Sequence, residues 1–327
     1  MTNFCFHSIT FIMSNKPKMT PRERAAAALT LQIPDQIPTF ELEFQLTREY
    51  CGKDYLGDRN LEGLSAAEKD RKLHENAEFL LELFTKLEYS IIPVHHLNME
   101  NKMETARIIR KISGDHFMLT THGDGTFAIP NGSSMFEFAS RIAEDPEGLH
   151  TEAKNRADRA IENNRRMVEA GFDSFILCDD YCFNTGPFLS PKMFGEFVVP
   201  YLTRIIENIR ADGAYAIKHT DGNIMPILDQ LVACKPHGLH SLDPMAKVDM
   251  KTVKELVGDK VCLCGNVNCA LMQTGTDEEV IQSAEYAIRY GKPGGGYIFC
   301  TSNVPFRGLP LARYLLILDI WKKHRDY

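Results

Sequence analysis

From residue 90 onward, short apolar runs alternate with longer stretches in which apolar positions recur every three to four residues. The runs at 90–95, 174–178, 214–218, 238–242, 261–264 and 297–300 predict buried strands. The stretches near 146–170, 191–211, 224–234, 249–257, 277–290 and 309–324 predict helices, one of them opened by a capping box of Thr276 and Glu279. Strand followed by helix, repeated, predicts right-handed βαβ units and a parallel sheet. Upstream, 37–44 alternates in the manner of a further strand. Thr20, Pro21 and Glu23 open a short helix through 25–29. Ser65 and Glu68 precede a helix near 66–87 whose apolar face carries Leu73, Ala77, Leu80, Leu81 and Phe84.

These strands number seven, and eight would close a barrel. The missing one is expected within 103–140. There, turn signals at Ser113-Gly114-Asp115 and Gly123-Asp124-Gly125 predict an antiparallel excursion near 103–130, with 135–138 as the third barrel strand. No repeat, low-complexity segment or linker divides the chain. The prediction is an α/β chain folded as one (β/α)8 TIM barrel over 18–327, with an N-terminal helical extension. Residues 1–17 are expected to be a flexible tail, too polar for a membrane helix and without the cationic start of a signal peptide, and Met13 is an alternative start.

Of 327 residues, 37 are Lys or Arg and 44 are Asp or Glu, a net charge of −7. Without a long basic run, phosphate-tracking nucleic-acid binding is disfavoured. The cysteines at 5, 51, 178, 182, 234, 262, 264, 269 and 300 are odd in number and lack a secretory context, which points to a reducing, cytoplasmic setting.

In α/β barrels the chemistry sits where strands run out into βα loops. Here those ends carry Glu41 and Glu43, His95 and His96, Cys178-Asp179-Asp180-Tyr181, and Lys218-His219-Thr220-Asp221-Gly222-Asn223. They continue with His240-Ser241-Leu242-Asp243, Cys264-Gly265-Asn266 and Cys300-Thr301-Ser302-Asn303. Core packing would finish strands with apolar groups, so the succession points to a functional cleft. His219 and Asp221 have the i, i+2 spacing that puts both side chains on one face of an extended segment, as metal-ligand pairs often do. A third ligand, such as Cys300 or Cys264, would converge from another strand; alternatively His219 and Asp221 hydrogen-bond each other and fix the turn at Gly222. Cys262 and Cys264 read as small buried hydrophobes. Of Asp179 and Asp180 only one can face the mouth, so a two-carboxylate glycosidase does not follow. The glycines at 291–296 precede a strand instead of following one, which excludes a dinucleotide fingerprint, and there is no P-loop and no GxSxG elbow.

Several of these segments resemble the uroporphyrinogen decarboxylase superfamily: 171–180, 188–194 with Pro200-Tyr201, the Lys218–Asn223 run, 263–266 and 294–299. The resemblance spans roughly 18–325. It implies a (β/α)8 barrel with its site at the C-terminal mouth, and it covers both porphyrinogen decarboxylases and methyltransferases that act with corrinoid proteins. Two departures disfavour the decarboxylases. Their arginine-rich segment after the first strand is replaced by Glu41-Leu42-Glu43-Phe44-Gln45, and their aspartate after the second strand by Pro93-Val94-His95-His96. The thiol-methylating branch builds a zinc site from His-x-Cys and a later Cys; here Asp221 and Asn303 stand at the cysteine positions, with Cys300 nearby.

The pattern is more similar to substrate:corrinoid methyltransferases, including those that demethylate aromatic methyl ethers. On this resemblance His219, Asp221, Asp180 and Asn303 are the expected catalytic residues. Glu41, His95, Tyr181 and His240 are expected at the pocket wall, and Phe44, Tyr181, Phe183 and Phe306 are candidates to sandwich a ring. His219, Asp221 and Cys300 would hold a metal, with zinc the cofactor considered. The corrinoid (cobalamin) would come from a partner protein, since the chain has no Asp-x-His-x-x-Gly signature; a homodimer is left open. A thiol methyltransferase, a porphyrinogen decarboxylase and a non-catalytic corrinoid or tetrapyrrole binder are the alternatives.

Overall fold

The computed structural model describes residues 18–327, so the tail expected at 1–17 lies outside the described residues. Seven strands form one parallel sheet: β1 (Ile91–Pro93), β2 (Met118–His122), β3 (Ser174–Leu177), β6 (Tyr215–His219), β7 (Gly238–His240), β8 (Cys262–Cys264) and β9 (Tyr297–Ile298), in that spatial order. Between β3 and β6 lies a small antiparallel hairpin of β4 (Cys182–Phe183) and β5 (Gly186–Pro187). The segment expected as a strand over 37–44 makes a single bridge, Thr39 to Phe299, instead of a regular strand. It nevertheless joins the two sheet edges: Phe299 N–H donates to Pro38 O (3.0 Å) and Ser90 N–H to Thr39 O (2.8 Å). Eight chain segments therefore ring the core, as barrel closure requires.

The third position in that ring differs from the expectation. No antiparallel excursion forms over 103–130. Met99–Ser113 is a helix, and β2 pairs in parallel with both β1 and β3. The helix starts at Asn98, whose side chain accepts the Asn101 N–H, and buries Met103, Ala106 and Ile109, a 3.6-residue period. Residues 135–138 lie inside a second helix, Ser134–Glu144, and form no strand.

Paired residues of a parallel sheet share a face, so the register separates the lumen from the outer layer. Ile217 pairs with Gly238, Gly238 with Cys262, His219 with His240, and His240 with Cys264. A Cβ at Gly238 would lie 3.2 Å from Cys264 Sγ and 3.3 Å from Leu29, which marks this face as the lumen and the helix Pro21–Leu29 as its floor. His122, in register with Ile176 and Ile217, faces the same lumen, whereas Lys218, in register with Leu177, faces outward. Among the described residues no helix is long and apolar enough to cross a membrane.

Candidate functional site

β6 ends in His219, which is 5% exposed and whose ring enters the lumen. The chain then turns at Gly222 (φ +82°) and brings Asp221 back beside it. From the end of β3, Asp180 reaches the same point. His219 Nε2 lies 3.7 Å from Asp180 Oδ1 and 3.8 Å from Asp221 Oδ1, too far for hydrogen bonds. Ligand atoms of these three residues lie within 4.8 Å of one another, the arrangement a shared cation requires.

Other loops hold this group in place. Asp221 Oδ1 accepts from Ser241 Oγ (2.8 Å) and Oδ2 from Asn303 Nδ2 (2.5 Å), while the Asp221 N–H donates to Asp180 Oδ1 (3.0 Å). Residues after β7 and β9 thus hold the Asp221 carboxylate, and its backbone N–H ties it to Asp180 after β3. Burial lowers His219 to about 4, opposed by the Asp180 charge, and raises Asp221 to about 6. At neutral pH His219 is a neutral imidazole beside two carboxyl groups that are themselves partly exposed at the mouth, Asp180 by 44% and Asp221 by 33%. One nitrogen, two carboxylates and an open position fit a divalent cation such as zinc.

Beneath the mouth, outside the lumen, a buried clamp ties the same loops together. Lys218 is 0% exposed; its Nζ donates to Asp124 Oδ2 and to Asp179 O, both at 2.8 Å, and lies 4.0 Å from the centre of the Tyr181 ring. Burial works to raise the Asp124 carboxyl, but the Lys218 ammonium overrides it and holds Asp124 well below the usual range. Asp179 is pushed up to about 7 by burial and by the Asp124 charge. Asp179 Oδ2 accepts from Thr126 N–H (2.9 Å), so of the adjacent pair only Asp180 reaches the His219 group.

The expected catalytic residues His219, Asp221, Asp180 and Asn303 are brought together. The expected wall residues divide. His240 is in the lumen, its Nδ1 2.9 Å from His219 Nδ1. His95 is there too, with Nε2 donating to Leu42 O (2.7 Å) and the ring stacked 4.0 Å from His122. Glu41 is not: it faces outward, 1% exposed, and accepts from Thr301 N–H (3.1 Å) and Oγ1 (2.5 Å). Tyr181 is also excluded, its hydroxyl 2.6 Å from Thr126 Oγ1 and its ring under Lys218. Phe44 is core against Tyr50 and Tyr314, whereas Phe183 is exposed and Phe306 half-buried. Cys300 is fully buried and does not join the ligand group; Asp180 takes the place expected of it.

His122 was missing from the expectation, and Ser241, though at a strand end, was given no role in it. His122, exposed at the end of β2, adds an imidazole to the lumen face that already carries His95, His219 and His240, and it stacks on His95. Its signal was present: the apolar run 117–119 continues through Thr120-Thr121 into His122-Gly123-Asp124, the same strand-end pattern used elsewhere.

Residues 126–304 match the family model described as uroporphyrinogen decarboxylase (URO-D). The uroporphyrinogen decarboxylase of Pseudoalteromonas translucida is 25% identical over 251 residues, covering 74% of this chain and 63% of that protein. That of Vibrio vulnificus (strain YJ016) is 24% identical over 227 residues, covering 64% of this chain and 59% of that protein. The match thus spans about three fifths of the length of these curated relatives. A methyltransferase from Methanosarcina mazei superposes with a TM-score of 0.72 at 17% identity, covering 93% of this chain and 99% of that one, which shows a shared fold. By the family model, which covers more than half of its length, the chain belongs to the uroporphyrinogen decarboxylase (URO-D) family.

Proposed function

We propose that the chain is a methyltransferase that moves a methyl group from a small methylated substrate, foremost an aromatic methyl ether, to the Co(I) of a corrinoid carried by a separate protein. The observation that supports this is the convergence of Asp180, His219 and Asp221 at the open end of the lumen. An ether methyl is a poor electrophile because an alkoxide or phenolate must leave. A cation at this group would supply Lewis-acid stabilisation of the charge on the departing oxygen. His219 Nε2 and one oxygen each of Asp180 and Asp221 would hold that cation. Ser241 and Asn303, each donating to a different oxygen of Asp221, fix the carboxylate's orientation. Asp180 and Asn303 then border the space for the substrate oxygen, and the half-buried Phe306 and exposed Phe183 are the aromatic rings left near the rim to contact a substrate ring.

The names of the curated relatives favour a second reading, porphyrinogen decarboxylation. Against it stands the site's composition. The residues converging on Asp221 are Asp180, His219, Ser241 and Asn303, with no guanidinium among them to pair with the substrate's carboxylates. With Glu41 turned away from the lumen, Glu43 is the acidic residue of that segment left beside His96, at 3.5 Å. A thiol-methylating reading lacks its cysteine ligand, since no thiol joins the group.

The test is anaerobic. The protein, loaded with zinc, is mixed with cob(I)alamin or a cognate corrinoid protein and a panel of methoxylated aromatics, methylamines and methyl thiols, and loss of the Co(I) absorption is followed. Methylation with the methoxylated aromatics is the expected result. Turnover of uroporphyrinogen with no methylation across the panel would establish the second reading instead.

A further inference from the structure

Two of the lumen imidazoles, His219 and His240, meet nitrogen to nitrogen. His219 Nδ1 and His240 Nδ1 are 2.9 Å apart, so one of them carries the proton and the other accepts it. His240 is 1% exposed, and its other nitrogen, Nε2, is buried with no hydrogen-bond partner among the described residues. The ring is otherwise packed edge-on against Phe40, with centroids 6.0 Å apart. A fully buried imidazole with one partner and one orphan nitrogen has nothing of its own to hold its tautomer.

Two arrangements are available. In the first, His240 Nδ1–H donates to His219, and the proton of His219 sits on Nε2, pointing at Asp180 and Asp221. In the second, His219 Nδ1–H donates to His240, and His219 Nε2 presents a lone pair to the two carboxylates. His240 leaves one nitrogen unsatisfied in either case, so it expresses little preference. What meets Nε2 of His219 decides: two bare carboxylates favour the first arrangement, and a cation held between them requires the second, because only a deprotonated nitrogen can be a ligand.

We propose that His240 is a positioning residue that sets the tautomer of His219, accepting its Nδ1–H so that Nε2 is free to bind a divalent cation together with Asp180 and Asp221. This rests on the metal-binding role given to that group above. In other metal sites the acceptor behind a ligating histidine is a carboxylate, a carbonyl or a water. A neutral imidazole differs in that it can reverse the bond: the bridging proton passes from His240 Nδ1 to His219 Nδ1, His219 Nε2 releases its proton as the cation binds, and His240 Nε2 takes one up from solvent, so both rings stay neutral in the empty and the loaded group.

The test measures metal affinity and protonation directly. The metal-free protein is titrated with Co²⁺, following its visible ligand-field bands, and the same is done for His240→Gln and His240→Met. Both replacements approximate the ring's volume, but only the glutamine carbonyl accepts a hydrogen bond well. The expected result is Co²⁺ binding weakened about 10–100-fold in His240→Met and largely recovered in His240→Gln. In parallel, ring ¹⁵N spectra of the unsubstituted protein should show His219 protonated at Nδ1 when zinc is bound. Equal Co²⁺ affinity for the wild type and His240→Met would overturn the role of His240 and leave the metal site standing. Failure of the wild type to bind Co²⁺ would overturn both. Should neither variant fold, the ¹⁵N spectra decide, and a zinc-loaded His219 protonated at Nε2 overturns the proposal.

Discussion

Lys218 can sit at 0% exposure because Asp124 and the Asp179 carbonyl meet its ammonium at 2.8 Å, with the face of Tyr181 beneath it. Removing one member of such a pair leaves the other charge buried and uncompensated, at about 3–5 kcal/mol. Lys218→Met should therefore lower unfolding stability by that amount in urea titrations, and adding Asp124→Asn should restore part of it; a loss below about 1 kcal/mol would show that water solvates the Asp124 carboxylate. Glu41 is the opposite case, a buried carboxyl without a cation. Burial raises it from 4.5 to about 8 against the hydrogen bonds from Thr301. Its proton is held more tightly in the folded chain than in the unfolded one, so its contribution to stability falls as pH rises from about 4.5 to about 8. Glu41→Gln removes that dependence: relative to the wild type it should gain about 3 kcal/mol between pH 5 and pH 7.5, and a constant difference between the two would refute the assignment. Both residues also mark how far the sequence can be read. That 41, 181, 218 and 219 stand at strand ends was legible from the apolar runs. Which of them face the lumen depends on one-residue parity in the register, and this places His219 inside but Lys218 and Glu41 outside.

Element placement was legible where one apolar run met one turn, and failed where a helix and a strand shared one stretch. Within 103–122 the helical period of Met103, Ala106 and Ile109 competes with the extended run at Met118–His122, and the Gly-Asp turn signals on either side favoured a hairpin over a βαβ unit. With β2 misplaced, His122 was lost from the candidate site. The turn after β6 was better marked, because Gly222 has a physical necessity behind it. Its φ is +82°, and a Cβ there would collide with Cys182 O and lie 2.7 Å from Phe183 O, backbone atoms of the β4–β5 hairpin. Gly222→Ala must therefore displace either the hairpin or the segment carrying Asp221. Gly213 supplies the control: its φ is +77°, but a Cβ there meets nothing within 4 Å. Gly213→Ala should cost about 1 kcal/mol of backbone strain alone. Gly222→Ala should cost at least about 2 kcal/mol and also weaken Co²⁺ binding, which Gly213→Ala should leave unchanged. Matching effects of the two substitutions, in unfolding and in metal titration, would contradict this coupling.

Over the whole molecule, the ligand group draws on loops far apart in sequence. Asp180 follows β3 and Asp221 follows β6, so a bound cation would tie those two segments directly, and the hydrogen bonds from Ser241 after β7 and Asn303 after β9 to Asp221 would extend the link to two more of the eight segments around the barrel at its mouth. The floor needs no such link, since Leu29 fills it and Trp321 Nε1 donates to Ile37 O (3.0 Å) from the last helix. Metal binding should therefore stabilise the chain unevenly. At a free metal concentration 100 times Kd the gain is about 2.7 kcal/mol. For a chain of this size that corresponds to a rise in Tm of roughly 4 °C. Hydrogen exchange should locate the gain, with added protection in 179–183, 220–224, 241–245 and 302–304 and none near 21–29. Asp221→Ala should abolish both the Tm rise and the local protection while keeping the metal-free exchange pattern of the floor. Protection that rises evenly through the barrel, or a Tm that responds equally to zinc in Asp221→Ala, would place the cation elsewhere.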